Sequence, residues 1–252
     1  MAQQRSAHIS VKKVNANSIT GADDMLAVEE PLEIRLEYND KGKKAHKSIS
    51  VTMRTPGNDS ELATGFLYTE GIIKTSADVT CITEVKENVV MITLSDDTKP
   101  DISNLERNFY TTSSCGVCGK ASIDAVRVSC TILDTKDSLE IPASLLYILP
   151  DVLRTQQEVF EHTGGLHACA LFDIAGKLLL SREDVGRHNA LDKLVGAALS
   201  AAMLPLDKHI LLLSGRASFE LVQKAAMAGI KIVAAVGAPS SLAVRMAEDW
   251  GM

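Results

Sequence analysis

The stretch His209-Ile210-Leu211-Leu212-Leu213-Ser214-Gly215-Arg216-Ala217-Ser218 decides how the second half of this chain folds. A short apolar run, His209 to Leu213, stops at Ser-Gly-Arg, and a helical pattern opens at Ser218 and continues to Ala228. A second run follows at Lys231 to Val236, then the turn Gly237-Ala238-Pro239-Ser240 and a helix from Ser240 to Trp250. Strand, helix, strand and helix in that order imply parallel pairing and right-handed crossovers. In such a sheet Ser214-Gly215-Arg216 and Gly237-Ala238-Pro239-Ser240 fall at one carboxyl edge, where α/β proteins bind ligands.

Upstream, a helix is expected from about His188 to Met203. Before it, strands His167 to Asp173 and Lys177 to Leu180 are joined by Ile174-Ala175-Gly176. Pro142 to Phe160 reads as a helix with Pro142 at a favoured start and Leu145, Ile148, Val152 and Val159 as apolar positions; Pro150 should disturb it. The first half is strand-rich. Ile9 to Val11, Leu32 to Tyr38 and Ser48 to Met53 alternate apolar with polar residues. The turn Arg54 to Asp59 leads to a short helix, Glu61 to Tyr68, which Asp59 or Ser60 could cap. Strands Thr80 to Val85 and Val89 to Leu94 follow. The predicted class is α+β: a strand-rich N-terminal domain over 1–110, a mobile loop over 111–122, and an α/β domain over 123–252.

The balance of 26 Lys+Arg against 32 Asp+Glu is a net charge of −6, which argues against non-specific binding to nucleic acid or anionic membrane. Aromatics are only 4% of residues, so the core must be built from Leu, Val, Ile, Ala and Met. Met1 to Ser6 lacks the apolar core of a signal peptide, and the longest apolar stretch, Leu194 to Leu206, is too short to span a bilayer. A cytoplasmic protein is expected. Five cysteines, an odd number without a secretion signal, argue against a disulfide scaffold. Cys81, Cys130 and Cys169 read as core thiols.

Cys115-Gly116-Val117-Cys118-Gly119 is different, because small polar residues and glycines surround it. Two thiols at this spacing can reach one another or share an electrophile, and a thiolate is the nucleophile in sulfur transfer. Attack on a donor persulfide would leave Cys–S–SH, whose outer sulfur can pass onward. A zinc site drawing on His162, His167, Cys169 or His188, a dithiol oxidoreductase and a purely structural pair stay open as readings of the pair alone.

Three further segments suit an anionic ligand. Gly164 and Gly165, just before His167, let the backbone approach closely. The run Arg182-Glu183-Asp184-Val185-Gly186-Arg187-His188-Asn189 sets two arginines and a histidine where a helix begins. Ser214, Gly215, Arg216 and Ser218 bridge a strand and a helix start, where amides and a guanidinium can meet a phosphate. Capping and surface ion pairs are the bland alternative.

These segments resemble the FdhD family, the formate dehydrogenase accessory sulfurtransferases. The likeness rests on Met53-Arg54-Thr55-Pro56-Gly57, Glu61 to Ile73, the Cys115/Cys118 pair, Thr163 to His167, Arg182 to Leu191 and Ser214 to Glu220, in that order. The resemblance implies a carrier that accepts sulfur from a cysteine desulfurase. It delivers that sulfur to the molybdenum (or tungsten) bis-pyranopterin guanine dinucleotide cofactor destined for formate dehydrogenase. Cys115 would carry the persulfide and Cys118 support it. The resemblance also implies a homodimer, no tightly bound metal of its own, and a three-layer, cytidine-deaminase-like C-terminal domain. Deaminase chemistry is not implied, because the His-x-Glu and Pro-Cys-x-x-Cys signature is absent. Beyond Trp250-Gly251-Met252 the family continues into a strand and a Gly/Arg-containing tail that contributes to cofactor binding. A cofactor-binding chaperone without sulfur transfer is the rival expectation, and a zinc-binding deaminase relative a third.

Overall fold

A computed structural model describes residues 4–102 and 139–252; Cys115, Cys118, Cys130 and the expected loop over 111–122 lie outside the described residues. The chain opens on a two-stranded antiparallel ribbon, β1 (Ser6–Asn15) and β2 (Ser18–Ala27). Then come β3 (Glu30–Asp40), β4 (Lys43–Arg54), α1 (Asp59–Thr69), a single 3-10 turn (Ser76–Asp78), β5 (Val79–Lys86) and β6 (Val89–Leu94). Strands β4-β3-β6-β5 form one sheet, with β3 and β6 parallel and the outer pairs antiparallel. Period-two alternation puts Leu32, Ile34 and Leu36 of β3 and Val90, Ile92 and Leu94 of β6 in one core with Leu62, Ala63 and Leu67 of α1.

The second part holds α2 (Ala143–Arg154), α3 (Glu158–Thr163), β7 (His167–Asp173), β8 (Leu178–Asp184), α4 (Arg187–Ser200), β9 (His209–Arg216), α5 (Phe219–Met227), β10 (Ile232–Gly237) and α6 (Ser241–Asp249). Its sheet has the order β10-β9-β7-β8. The β9/β10 pair is parallel, as the strand-helix alternation predicts, and β7 is antiparallel to both neighbours. The two faces of this sheet bury different partners. Ala168, Ala170, Phe172, Ile210 and Leu212 pack on Leu145, Leu149 and Leu153 of α2. Cys169, Leu171, Leu211 and Leu213 pack on α4 and α5 through Leu191, Leu194, Val195, Leu221 and Ala225. The result is a helix–sheet–helix sandwich, and the α+β class holds.

Several local expectations are corrected. The ribbon strand β2 escapes a periodicity search because Gly21, Asp23 and Asp24 are poor strand formers; its ladder with β1 supplies the order. Helix α2 continues past Pro150 and stops at Arg154, so the expected helix to Phe160 is two helices. The stripe that faces the sheet is Leu145, Leu149 and Leu153, while Ile148 is 51% exposed. Burial of three leucines outweighs the one backbone bond that proline removes. Neither Asp59 nor Ser60 caps α1: Asn58 stands at the N-cap with φ 60°, and the Asp59 carboxylate takes the Arg54 fork at 3.0 and 2.8 Å. Cys81 is exposed on edge strand β5 and is not a core thiol, whereas Cys169 is buried as expected.

The two sheets are joined where α1 crosses α4, and the crossing is made by two glycines. A Cβ on Gly65 would overlap the Asp192 carbonyl and lie 2.8 Å from the Gly196 nitrogen. A Cβ on Gly196 would overlap the Glu61 carbonyl and lie 2.9 Å from Glu61 Cα. The helices therefore touch backbone to backbone. Polar side chains tie the same seam, Thr69 Oγ1 donating to Asp192 Oδ1 at 2.7 Å.

Candidate functional site

The carboxyl edge of the second sheet gathers the three segments that the sequence singles out. Because β7 runs against both neighbours, its first residue, His167, pairs with the last residue of β8, Asp184. On its other side a Cβ at Gly215 would sit 3.2 Å from His167 Nδ1, so that glycine makes room for the imidazole. Ser214 Oγ accepts the Ala168 N–H at 2.8 Å, and Arg216 is in register with Gly237, over which its side-chain stem lies. Gly164, with φ 63°, ends α3, and Gly165 leads into β7 beside Ala27 of the ribbon. Helices α4 and α5 both begin here, with Gly186 and Ser218 at their N-caps. Arg216 is exposed, so its charge is presented to solvent at this edge.

Several of the predicted site residues are engaged within the fold. Arg182 gives its guanidinium to Glu61 of α1, Nε to Oε2 at 2.5 Å and Nη2 to Oε1 at 2.7 Å, and so ties the two sheets together. Asp184 is fully buried and saturated. It pairs with Lys193 Nζ at 2.7 Å and accepts from the Thr55 amide (3.2 Å), the Gly186 amide (2.8 Å) and Asn189 Nδ2 (3.1 Å). Asn189 also donates to the Met53 carbonyl at 2.7 Å and accepts from Thr52 Oγ1 at 3.1 Å. The polar atoms of Arg182, Asp184 and Asn189 are engaged in holding β4 and α1 against the edge. Glu61 for Arg182, Thr55 for Asp184, and Thr52 and Met53 for Asn189 lie more than a hundred residues away, beyond the reach of a local pattern.

His188 is 9% exposed, and its Nε2 is buried without a hydrogen-bond partner. Burial first, then the Lys224 and Arg187 cations, pull its pKa down to about 3, with Glu70 opposing and His167 adding to the depression. His167 is also lowered, by burial and then by Arg187, against the pull of Asp184. Both imidazoles are neutral at physiological pH. Between about pH 3 and the ordinary 6.5 the unfolded chain protonates position 188 and the folded chain does not. Stability is therefore lost as pH falls through that window. We expect the gap between wild type and His188→Gln in urea midpoint to narrow or reverse from pH 7 to pH 4; a parallel fall would show that His188 does not titrate on unfolding.

The sequence reading missed the charges beneath this edge. Lys224 of α5 donates to both Asp192 oxygens at 3.0 Å, to Thr69 Oγ1 at 2.8 Å and to Glu70 Oε1 at 3.2 Å, and its Nζ stands 5.4 Å from the Phe66 ring centre. Burial lowers its pKa, but Asp192 and Glu70 outweigh burial and hold it charged. Lys193 is pulled down by burial and supported by Asp184, and also donates to the Thr55 carbonyl at 2.8 Å. Asp192 and Lys193 interrupt the otherwise apolar run Ala190 to Leu199, but only the structure shows that residues 188–199 of α4 are all buried and their charges therefore paired. Cys169 lies behind the edge, and burial pushes its thiol pKa up, which makes it a poor nucleophile. Among the described residues no three His, Cys, Asp or Glu side chains are placed to hold a metal ion, and no helix is long and apolar enough to cross a membrane.

The sequence profile of the FdhD/NarQ family matches residues 27–252. The sulfur carrier protein FdhD of Streptomyces coelicolor is 50% identical over 254 residues, covering 96% of this chain and 86% of that protein. The sulfur carrier protein FdhD of Mycobacterium tuberculosis is 45% identical, covering 98% and 91%. That of the archaeon Sulfurisphaera tokodaii is 41% identical, covering 97% and 90%. A crystal structure of a candidate formate dehydrogenase accessory protein from Desulfotalea psychrophila shares the fold, with a TM-score of 0.76 at 22% identity, over 98% of this chain and 91% of that one. On profile match, identity and coverage together, this chain belongs to the FdhD/NarQ family.

Proposed function

We propose that this protein is a cytoplasmic sulfur carrier and sulfurtransferase. It accepts persulfide sulfur from a cysteine desulfurase and transfers it to the molybdenum bis-pyranopterin guanine dinucleotide cofactor required by formate dehydrogenase. The carrying observation is the Cys115-Gly116-Val117-Cys118 pair in a chain about half identical to proteins named sulfur carriers. The Cys115 thiolate attacks the outer sulfur of the donor persulfide. That S–S bond breaks, the donor leaves as a thiolate, and Cys115–S–SH remains. Cys118 assists or shields the persulfide before its outer sulfur passes to the cargo.

The cofactor is cargo here, and the carboxyl edge of the second sheet is where we set its guanine dinucleotide ends. Gly164, Gly165, Gly186 and Gly215 let the backbone come close, His167, Ser214 and Ser218 line the rim, and Arg187 and Arg216 bring positive charge to two helix starts. The protein acts as a homodimer in this reading.

The deciding experiment is intact mass after incubation with an active cysteine desulfurase and cysteine. Wild type is expected to gain one reducible sulfur atom and Cys115→Ala none. A gain that survives the substitution would move the carrier role to another thiol. No gain in either protein would favour a chaperone that hands over the cofactor without transferring sulfur.

A further inference from the structure

The ribbon of β1 and β2 carries apolar side chains into solvent. With ten residues in each strand it is about 33 Å long, and every residue from Lys12 to Gly21 is exposed. Val14 and Ile19 face each other across the ladder next to its turn and are 71% and 69% exposed. Ile9 and Leu26 lie on the opposite face by period-two alternation and are 46% and 41% exposed. Large aliphatic side chains grouped in the open mark a surface that another molecule covers. Among the described residues β1 has no strand on its other side, so its outer row of N–H and C=O groups is open to the same partner.

Charge sets the chemistry of that partner. From Val11 to Gly21 the only ionisable side chains are Lys12 and Lys13, on a chain whose net charge is −6. Lys13 reaches back to Asp24 at 3.4 Å, and the distal half has no acid of its own. A basic tip with an apolar pair is matched by an apolar groove bordered by carboxylates, because a basic surface there would repel it.

The root of the ribbon sets which protein this is. Ala27, at the end of β2, lies 3.5 Å from where a Cβ on Gly165 would stand. Arg5, just ahead of β1, approaches Glu183 at 3.9 Å, and the Glu183 carboxylate caps α3. A protein that grips the ribbon therefore arrives beside the edge at which the cargo is set in the reading above. The family profile starts at residue 27, so the ribbon stands ahead of the shared fold. The alignments with the Streptomyces coelicolor and Mycobacterium tuberculosis proteins cover 96% and 98% of this chain and so extend into it. An element outside the shared fold suits recognition of one particular recipient better than a step the whole family performs.

We propose that the distal half of the ribbon, Lys12 to Gly21, is the docking element for the protein that receives the cargo, and that this recipient offers an apolar groove bordered by carboxylates. The inference rests on the sulfur-carrier reading and on the edge as the cargo site.

The test is binding of the full chain to cofactor-free formate dehydrogenase from the same organism, measured by biolayer interferometry at low and high salt. Lys12→Glu/Lys13→Glu should weaken binding about tenfold or more and flatten its salt dependence. Val14→Ser/Ile19→Ser should weaken it about tenfold and leave the salt dependence as in wild type. All four side chains are exposed, so both variants should melt with wild type and take up sulfur from the desulfurase as wild type does. The inference is overturned if either variant binds the recipient like wild type, or if sulfur uptake falls in step with binding. It is overturned equally if the apolar variant has a lower mass than wild type by light scattering, since a second copy would then be the occupant. Wild type that takes up sulfur but does not bind the recipient overturns the docking inference alone. Wild type that takes up no sulfur overturns the carrier reading, and this inference falls with it.

Discussion

Gly196→Ala is expected to lower the melting temperature by about 5 °C or more, even though alanine is the better helix former. Alanine gains about 1 kcal/mol over glycine in a helix interior. Against that stands a Cβ overlapping the Glu61 carbonyl and 2.9 Å from Glu61 Cα, both backbone atoms of α1 that cannot swing aside. Overpacking against flexible side chains costs about 1–3 kcal/mol, and a backbone clash that pries two helices apart should reach about 3 kcal/mol or more. The net loss of about 2 kcal/mol corresponds to the stated shift for a chain of this size. Gly65→Ala should behave alike, since its Cβ would strike Asp192 across the same crossing. Gly21→Ala, on the ribbon with nothing within 4 Å, is the matched control and should be near neutral. The measurement is thermal and urea unfolding of the three variants; equal midpoints for Gly196→Ala and Gly21→Ala would mean that the helices are not in backbone contact.

Lys193→Met should cost about 3–5 kcal/mol, because it strands a carboxylate rather than merely deleting a contact. Asp184 and Lys193 are both 0% exposed and 2.7 Å apart. Methionine matches the lysine stem in length, so the core stays filled and the loss is electrostatic. Without the ammonium, Asp184 keeps its three hydrogen-bond donors, from Thr55, Gly186 and Asn189, but no compensating charge. The double variant Lys193→Met/Asp184→Asn removes both charges and is expected to recover more than half of the deficit. Chemical denaturation of the two singles and the double gives the coupling directly. A double variant as unstable as the sum of its singles would show that the pair is not a unit. The same cluster anchors Gly186, at the head of α4, so Lys193→Met should also weaken whatever binds at the edge.

These results bear on how the motifs are built. Met53-Arg54-Thr55-Pro56-Gly57 holds no ligand group of its own among its described contacts. Arg54 is buried on Asp59, Asn88 and Glu30, while Thr55 meets Asp184, Val185 and Lys193. The Arg182-to-Asn189 run is likewise half scaffold. Its Glu183 carboxylate accepts the Val159 and Phe160 amides and so caps α3, which carries Gly164 at its end. A run of polar residues that looks like one binding loop is in fact several interlocking supports.

The sequence by itself determined the elements and their order: the alternation from His209 to Trp250, the parallel β9/β10 pair, and the placing of Ser214 to Arg216 at the carboxyl edge. It also determined the family and the Cys115/Cys118 pair. These are readable because periodicity and turn chemistry are local, expressed within a few residues of chain. Only the tertiary structure decided which polar residues of a motif are free to act. Arg182 is spoken for by Glu61 at a separation of 121 residues, and Asn189 by Thr52 at 137. These bonds join groups more than a hundred residues apart, so no local pattern records them. For the same reason the backbone crossing at Gly65 and Gly196, and the charges of Lys193 and Lys224 buried beneath the edge, came to light only in three dimensions.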